Sequence, residues 1–155
     1  MKNLKDLIVE NLVITKDTKV KYNYHPKTKD ELQKLVDKLI KERGNNADLN
    51  DIDTSAITDM SDMFSRSEFN GDISKWDVSN VKDMSFMFHK SEFTGENGDI
   101  SQWDVSNVED MNYMFSHSEF NGNISNWDVS NVKDMHDIFY NSSLEKNPPK
   151  WYKEK

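Results

Sequence analysis

The sequence predicts an α/β solenoid: a short, right-handed, leucine-rich-repeat-like stack with a strand–helix cap at its N-terminal end. Three observations carry this. One nonapeptide is written three times, as WDVSNVKDM at 76–84, WDVSNVEDM at 103–111 and WDVSNVKDM at 127–135. The tryptophans Trp76, Trp103, Trp127 and Trp151 fall 27, 24 and 24 residues apart, close to the roughly 20–29-residue period of leucine-rich repeats. A strongly amphipathic helical pattern precedes the first repeat.

Each repeat unit has two halves. The match around the nonapeptide extends over FNGDISKWDVSNVKDMSFMFHKSE (69–92), FTGENGDISQWDVSNVEDMNYMFSHSE (93–119) and FNGNISNWDVSNVKDMHDIFYNSS (120–143). A more divergent copy, LNDIDTSAITDMSDMFSRSE at 49–68, has Ile52 where the others have tryptophan. The longer step contains a three-residue insertion around Glu96–Gly98. GDISKWDV alternates in character and suits a short strand. NVKDMSFMFHKS places Val81, Met84, Met87 and Phe88 at helical spacing, with Asn80 as N-cap and Asp83 in the first turn. The pairing recurs as Asn107/Asp110 and Asn131/Asp134. One such unit cannot bury its apolar face alone, so like units stack. Strands stack at about 4.8 Å and helices at about 8–10 Å, so helices on one side would curve the stack and leave the strands on its concave face. Gly71, Gly95 and Gly122 are expected at turn positions with positive φ.

The N-terminal part reads differently. PKTKDELQKLVDKLIKERG at 26–44 predicts a helix over 29–43. Thr28 and Glu31 form a capping box, Leu32, Leu35, Val36, Leu39 and Ile40 make one apolar stripe, and Gly44 ends the helix. LIVENLVIT and KVKYNY, joined by KDTK, read as two strands before it. The expected organisation is therefore a cap at 1–47, four repeats at 48–143 and a C-terminal cap at 144–155, in which Trp151 of the Pro148–Tyr152 stretch keeps the period and closes the stack.

With these residues in view, FNGDISKWDVSNVKDMSFMF resembles the repeat of BspA-like leucine-rich-repeat surface proteins, also abundant as mycoplasma lipoprotein-like repeats. The resemblance covers about residues 48–140, and the lead-in YHPKTKDELQKLVDKLI is similar to that family's. It implies a short leucine-rich-repeat solenoid used in protein–protein contact, often adhesion at bacterial surfaces, and no catalytic activity. The chain shows neither a signal-peptide pattern nor a lipid-anchoring cysteine. The expected location is cytoplasmic as the sequence is written, with the bacterial cell surface as the alternative for a trimmed chain.

Composition narrows the chemistry. The chain has 155 residues, 35% hydrophobic and 31% charged, so its core must be thin. It has no cysteine, which removes disulfides, thiolate zinc sites and a Cys nucleophile. No apolar run is long enough to cross a bilayer. Residues 1–47 hold 11 basic and 7 acidic side chains; residues 48–155 hold 9 and 21, a balance of −12. Such a repeat region repels nucleic acid and attracts a basic protein surface. Rows of aspartates (Asp77, Asp104, Asp128; Asp83, Asp110, Asp134; Asp72, Asp99, then Asn123) recur in register. A calcium reading lacks the tight ligand spacing such sites use, and the plainer reading is capping of corners and helix starts. His25, His89, His117 and His136 do not share a register and read as scattered surface histidines. GxSxG, P-loop and HExxH patterns are absent, and serines that repeat with the scaffold are structural. The tryptophans and methionines read as core.

The residues that vary while the scaffold repeats are the interaction candidates: Lys75, Gln102 and Asn126, beside Ser74, Ser101 and Ser125, with Asp72, Asp99 and the inserted Glu96. By strand alternation one of the first two sets would face outward. The expectation is a non-enzymatic protein-interaction module, monomeric or weakly dimeric, binding a basic protein partner through an acidic face, without cofactor or metal and without membrane or direct nucleic-acid contact. The alternative is an intracellular, possibly phage-borne, inhibitor or decoy that occupies a basic nucleic-acid-binding groove of its target.

Overall fold

The structure, a computed structural model, describes residues 21–153 of the chain. The strand read at 7–15, and the first two residues of the one read at 19–24, lie outside the described residues; 21–24 form no strand, and Tyr24 makes only an isolated parallel bridge with Ile52. The helix read over 29–43 is α1, Lys29–Arg43. Thr28 Oγ1 accepts the Glu31 N–H at 3.2 Å, and Glu31 Oε2 accepts the Lys27 N–H at 2.7 Å. Gly44, at φ 94°, ends the helix by donating its N–H to the Ile40 carbonyl at 2.7 Å. Leu32, Val36 and Leu39 are fully buried against the first repeat, with Leu35 and Ile40 half-buried beside them.

The repeats do not form the expected α/β solenoid of leucine-rich-repeat type. Among the described residues α1 is the one helix, and no strand forms. Parallel pairing is confined to isolated bridges, Asp59↔Asp83, Asp83↔Asp110 and Asp110↔Asp134 among them. The segment read as a repeat helix, NVKDMSFMFHKS, is a run of overlapping turns. Met87, His89 and Ser91 donate N–H to Met84, Phe86 and Phe88 at 3.1–3.2 Å. The residues between them bond outward: Met84, Phe86, Phe88 and Lys90 donate to the carbonyls of Asp110, Asn112, Met114 and Ser116 in the following repeat at 2.8–2.9 Å. An α-helix would spend those N–H groups internally; here they tie repeat to repeat. The geometry needs left-handed backbone at Phe86 (φ 57°) and Lys90 (φ 53°), and the same two positions recur as Asp62/Arg66, Tyr113/His117 and Asp137/Asn141. Without repeat helices there is no helical side to bend the repeats, and the expected concave strand face has no basis. Asn80, Asn107 and Asn131 cap no helix either. Their amides donate to the Ser55, Ser79 and Ser106 carbonyls of the preceding repeat at 2.6–2.8 Å.

The core is built from side chains in register. Phe64, Phe88, Phe115 and Phe139 form one column with near-parallel rings and centroids 5.5–6.0 Å apart. Phe69, Phe93 and Phe120 form a second column at 6.0–6.4 Å. Trp76, Trp103 and Trp127 are buried, and each indole N–H reaches back to a carbonyl, of Leu49, Ile73 and Ile100 respectively, at 2.9–3.2 Å. Burial and a satisfied donor together explain why the tryptophan repeats. Gly95 has the expected positive φ (86°), but Gly71 does not. A Cβ on Gly71 would stand 2.0 Å from the Ala47 carbonyl oxygen, so that glycine is required by close approach.

Candidate functional site

The variable residues sit at turn tips and not on strands. Trp76, Trp103 and Trp127 donate N–H to Ile73, Ile100 and Ile124 at 3.1–3.2 Å, which makes Ser74–Lys75, Ser101–Gln102 and Ser125–Asn126 the central pairs of three turns in register. Strand alternation therefore does not sort the two sets. The serines turn back instead. Asp72 Oδ1 accepts both the N–H and the hydroxyl of Ser74, at 2.9 and 2.6 Å. Asn123 Oδ1 does the same for Ser125 at 3.0 and 2.6 Å, and Asp99 takes the Ser101 N–H at 2.8 Å. Lys75, Gln102 and Asn126 are exposed. They form one row of dissimilar side chains on a fixed frame.

The insertion lies beside this row. Gly98 packs so closely on Asp72 that a Cβ would stand 2.6 Å from its Oδ1. Asn97 Nδ2 donates to the Asn70 carbonyl at 2.7 Å, and Asn70 Nδ2 donates to the exposed Glu96 at 3.3 Å. All nine sequence-selected residues thus belong to one corner of the molecule. Burial works to raise Asp72, but hydrogen bonds from Ser74 and Asn50 and the charge of Lys75 outweigh it and hold its pKa below the ordinary value. Asp72 stays charged beside Lys75 at neutral pH.

The other aspartate rows are spent on local geometry. Asp77 and Asp104 each accept the hydroxyl and N–H of the serine two residues on, and Asp128 accepts the Ser130 N–H. Asp83 does the same for Ser85 and Asp110 for the Asn112 N–H. Desolvation, with the nearby charges of Asp83 and Asp134, raises the Asp110 pKa despite that N–H. Lys29 closes the N-terminal end of this row, with Nζ 3.9 Å from Asp59 and 2.7 Å from Ser61 Oγ. Among the described residues no cluster of His, Asp or Glu has the arrangement of a metal site.

Sequence reasoning missed an outer aromatic strip. Phe86 and Tyr113 stack with centroids 4.8 Å apart. His89 stands edge-on to Phe86 and to His117, His136 to Tyr113, and His117 to Tyr140, which is 52% exposed. Burial, helped by Lys90, Arg66 and His117, keeps the His89 pKa below its usual value. The signal was present: 86 and 113 share a register, as do 89 and 140. The histidines themselves stand 13, 14 and 9 residues after their tryptophans, so no shared register joins them.

No helix among the described residues is long and apolar enough to cross a membrane. No curated protein and no solved structure matches the chain. A family model does match, over residues 31–151, from the first turn of α1 through the last tryptophan. That match covers the repeats which suggested BspA-like proteins and mycoplasma repeats, and it names the mycoplasma grouping and not BspA: the chain belongs to the family described as Mycoplasma protein of unknown function, DUF285.

Proposed function

We propose that this protein is a non-enzymatic protein-interaction module whose contact surface is the corner carrying Lys75, Gln102 and Asn126 with Asp72, Asp99 and Glu96. The observation that carries this reading is the turn-tip row: exposed residues differ from repeat to repeat while the serines, their Asp or Asn acceptors and the tryptophans that hold them recur. Variation on a fixed frame is how a repeat surface acquires specificity, because side chains can change without altering the packing below. The carboxylates around the row, within a region of charge −12, suit a partner with a basic, polar surface. The resemblance of FNGDISKWDVSNVKDMSFMF to the repeat of BspA-like surface proteins supports the same class of role.

The test is capture of partners from the source cell's lysate and from its extracellular ligands, at low and high salt, with the triple variant Lys75→Ala/Gln102→Ala/Asn126→Ala as comparison. A partner held by the native chain and lost by the variant, at unchanged melting temperature, supports the reading. Equal capture by both sinks it. The regional charge also favours the second reading, a decoy for a basic nucleic-acid-binding groove. There the captured protein would bind DNA or RNA, and added nucleic acid would displace this chain.

A further inference from the structure

Among the described residues the bridge series ends with its pairing groups unfilled. At each bridge one carbonyl accepts and two alternate N–H groups donate. The Lys82 carbonyl accepts from Glu109 at 2.8 Å, Met84 donates to Asp110 at 2.9 Å and Phe86 to Asn112 at 2.8 Å. One repeat on, the Glu109 carbonyl accepts from Lys133, Met111 donates to Asp134 and Tyr113 to His136, at 2.8–2.9 Å. In the last repeat the equivalent groups are the Lys133 carbonyl and the N–H groups of Met135 and Asp137. They have no partner among the described residues. All three lie on a groove of about 480 Å³ between residues 132–137 and residues 151–153.

We propose that this groove docks one extended segment of a partner polypeptide carrying the same Val-x-Asp-Met signature, added in parallel as one more bridged layer. The molecule supplies its own template. Segment 108–113 is covered by 132–137, and segment 81–86 by 108–113, each through this bonding pattern. The backbone of the open edge is already set for it, since Asp137 has φ 50°, close to the 57° and 54° of Phe86 and Tyr113, whose N–H groups do donate. Pre-set geometry lowers the ordering cost of docking. The walls are suited to an extended chain, with half-buried Val132 and Met135 on one side and Trp151 and Tyr152 on the other. Strand addition draws affinity from main-chain bonds and register from alternate side chains. A second copy of this chain is a poor occupant. Its own Val-x-Asp-Met segments at 81–84 and 108–111 are bonded inside, the third at 132–135 already spends the Lys133 N–H and the Asp134 and His136 carbonyls, which a docked layer would need, on the preceding repeat, and its N-terminal end is covered by α1. The proposal makes no use of the corner row.

The experiment titrates a fluorescent peptide with the sequence of residues 107–114 (NVEDMNYM) against the full chain, by anisotropy and by amide hydrogen exchange. Saturable binding is expected, with exchange slowed at least about 10-fold at Met135 and Asp137 and unchanged at Lys75. N-methylation of the peptide glutamate removes the donor to the Lys133 carbonyl and is expected to weaken binding about 5-fold, one hydrogen bond's worth. A scrambled peptide should not bind. No saturable binding, or saturation that leaves the Met135 and Asp137 amides unprotected, overturns the proposal.

Discussion

The two ends of the repeat region are closed by different means. At the N-terminal end α1 lays three fully buried side chains on the first repeat. It adds polar contacts from its face: Gln33 donates to the Met63 carbonyl at 3.3 Å, and Arg43 clasps Asp51 through two bonds of 2.9 Å. At the other end Trp151 stays half-buried, with its indole on the Ile124 carbonyl at 2.8 Å and its ring 5.8 Å from Phe139. A helix is a complete lid because its own backbone groups are satisfied internally. A single tryptophan keeps the period of the ladder and covers the last phenylalanine, but among the described residues it leaves the Lys133 carbonyl and the Met135 and Asp137 N–H groups unpaired.

Substitutions at the two ends should therefore differ in size. Leu39→Ala removes fully buried surface under the lid and should cost about 2–5 kcal/mol in urea unfolding. Trp151→Ala, half-exposed, should cost roughly 1–2 kcal/mol. Equal losses would mean that the two lids hold the core alike. A finer comparison replaces one indole at a time. Trp76→Phe loses a buried bond to the Leu49 carbonyl and should cost about 1–2 kcal/mol, whereas Trp151→Phe should cost roughly half that. The third test is pH. The Arg43 hydrogen bonds lower the Asp51 pKa from 3.8 to about 2, against its partial burial. A depressed pKa means stability that is fully present above pH 3.8 and lost as pH falls toward about 2. Asp51→Asn should remove about 1 kcal/mol at pH 6, after allowance for solvent screening, and almost nothing near pH 2. The smallest effect belongs to the middle of the aspartate row. Raised by burial and its aspartate neighbours, Asp110 costs stability when charged. Asp110→Asn keeps an acceptor for the Asn112 N–H and should gain a few tenths of a kcal/mol at pH 7, a gain that fades as pH falls through the raised pKa.

How much of this was legible depends on whether a signal was local. The capping box of Thr28 and Glu31, the stripe of α1 and Gly44 fixed one helix to the residue. The tryptophan period located the indole ladder. The repeat half-units misled for a physical reason. Overlapping turns also bring Met84, Met87 and Phe88 to the inner side, so their spacing imitates an amphipathic helix. The residues that bend the chain left-handed, Phe86 and Tyr113 among them, are not glycines, so no residue type announced them. The candidate row at Lys75, Gln102 and Asn126 was found by its variability, while its placement on turn tips came from Asp72 and Ser74, a pairing that sequence alone had assigned to a strand.

The indole ladder also has a kinetic meaning. Its bonds join residues 27, 30, 27 and 27 positions apart in the chain. Each such closure costs about 3 kcal/mol of chain entropy, and the cost does not grow along the molecule, because every step closes a loop of nearly the same length onto a neighbour already in place. Folding by this route is a relay of similar, medium-range closures. Lengthening the array by further repeats would leave relative contact order falling and each elementary step unchanged.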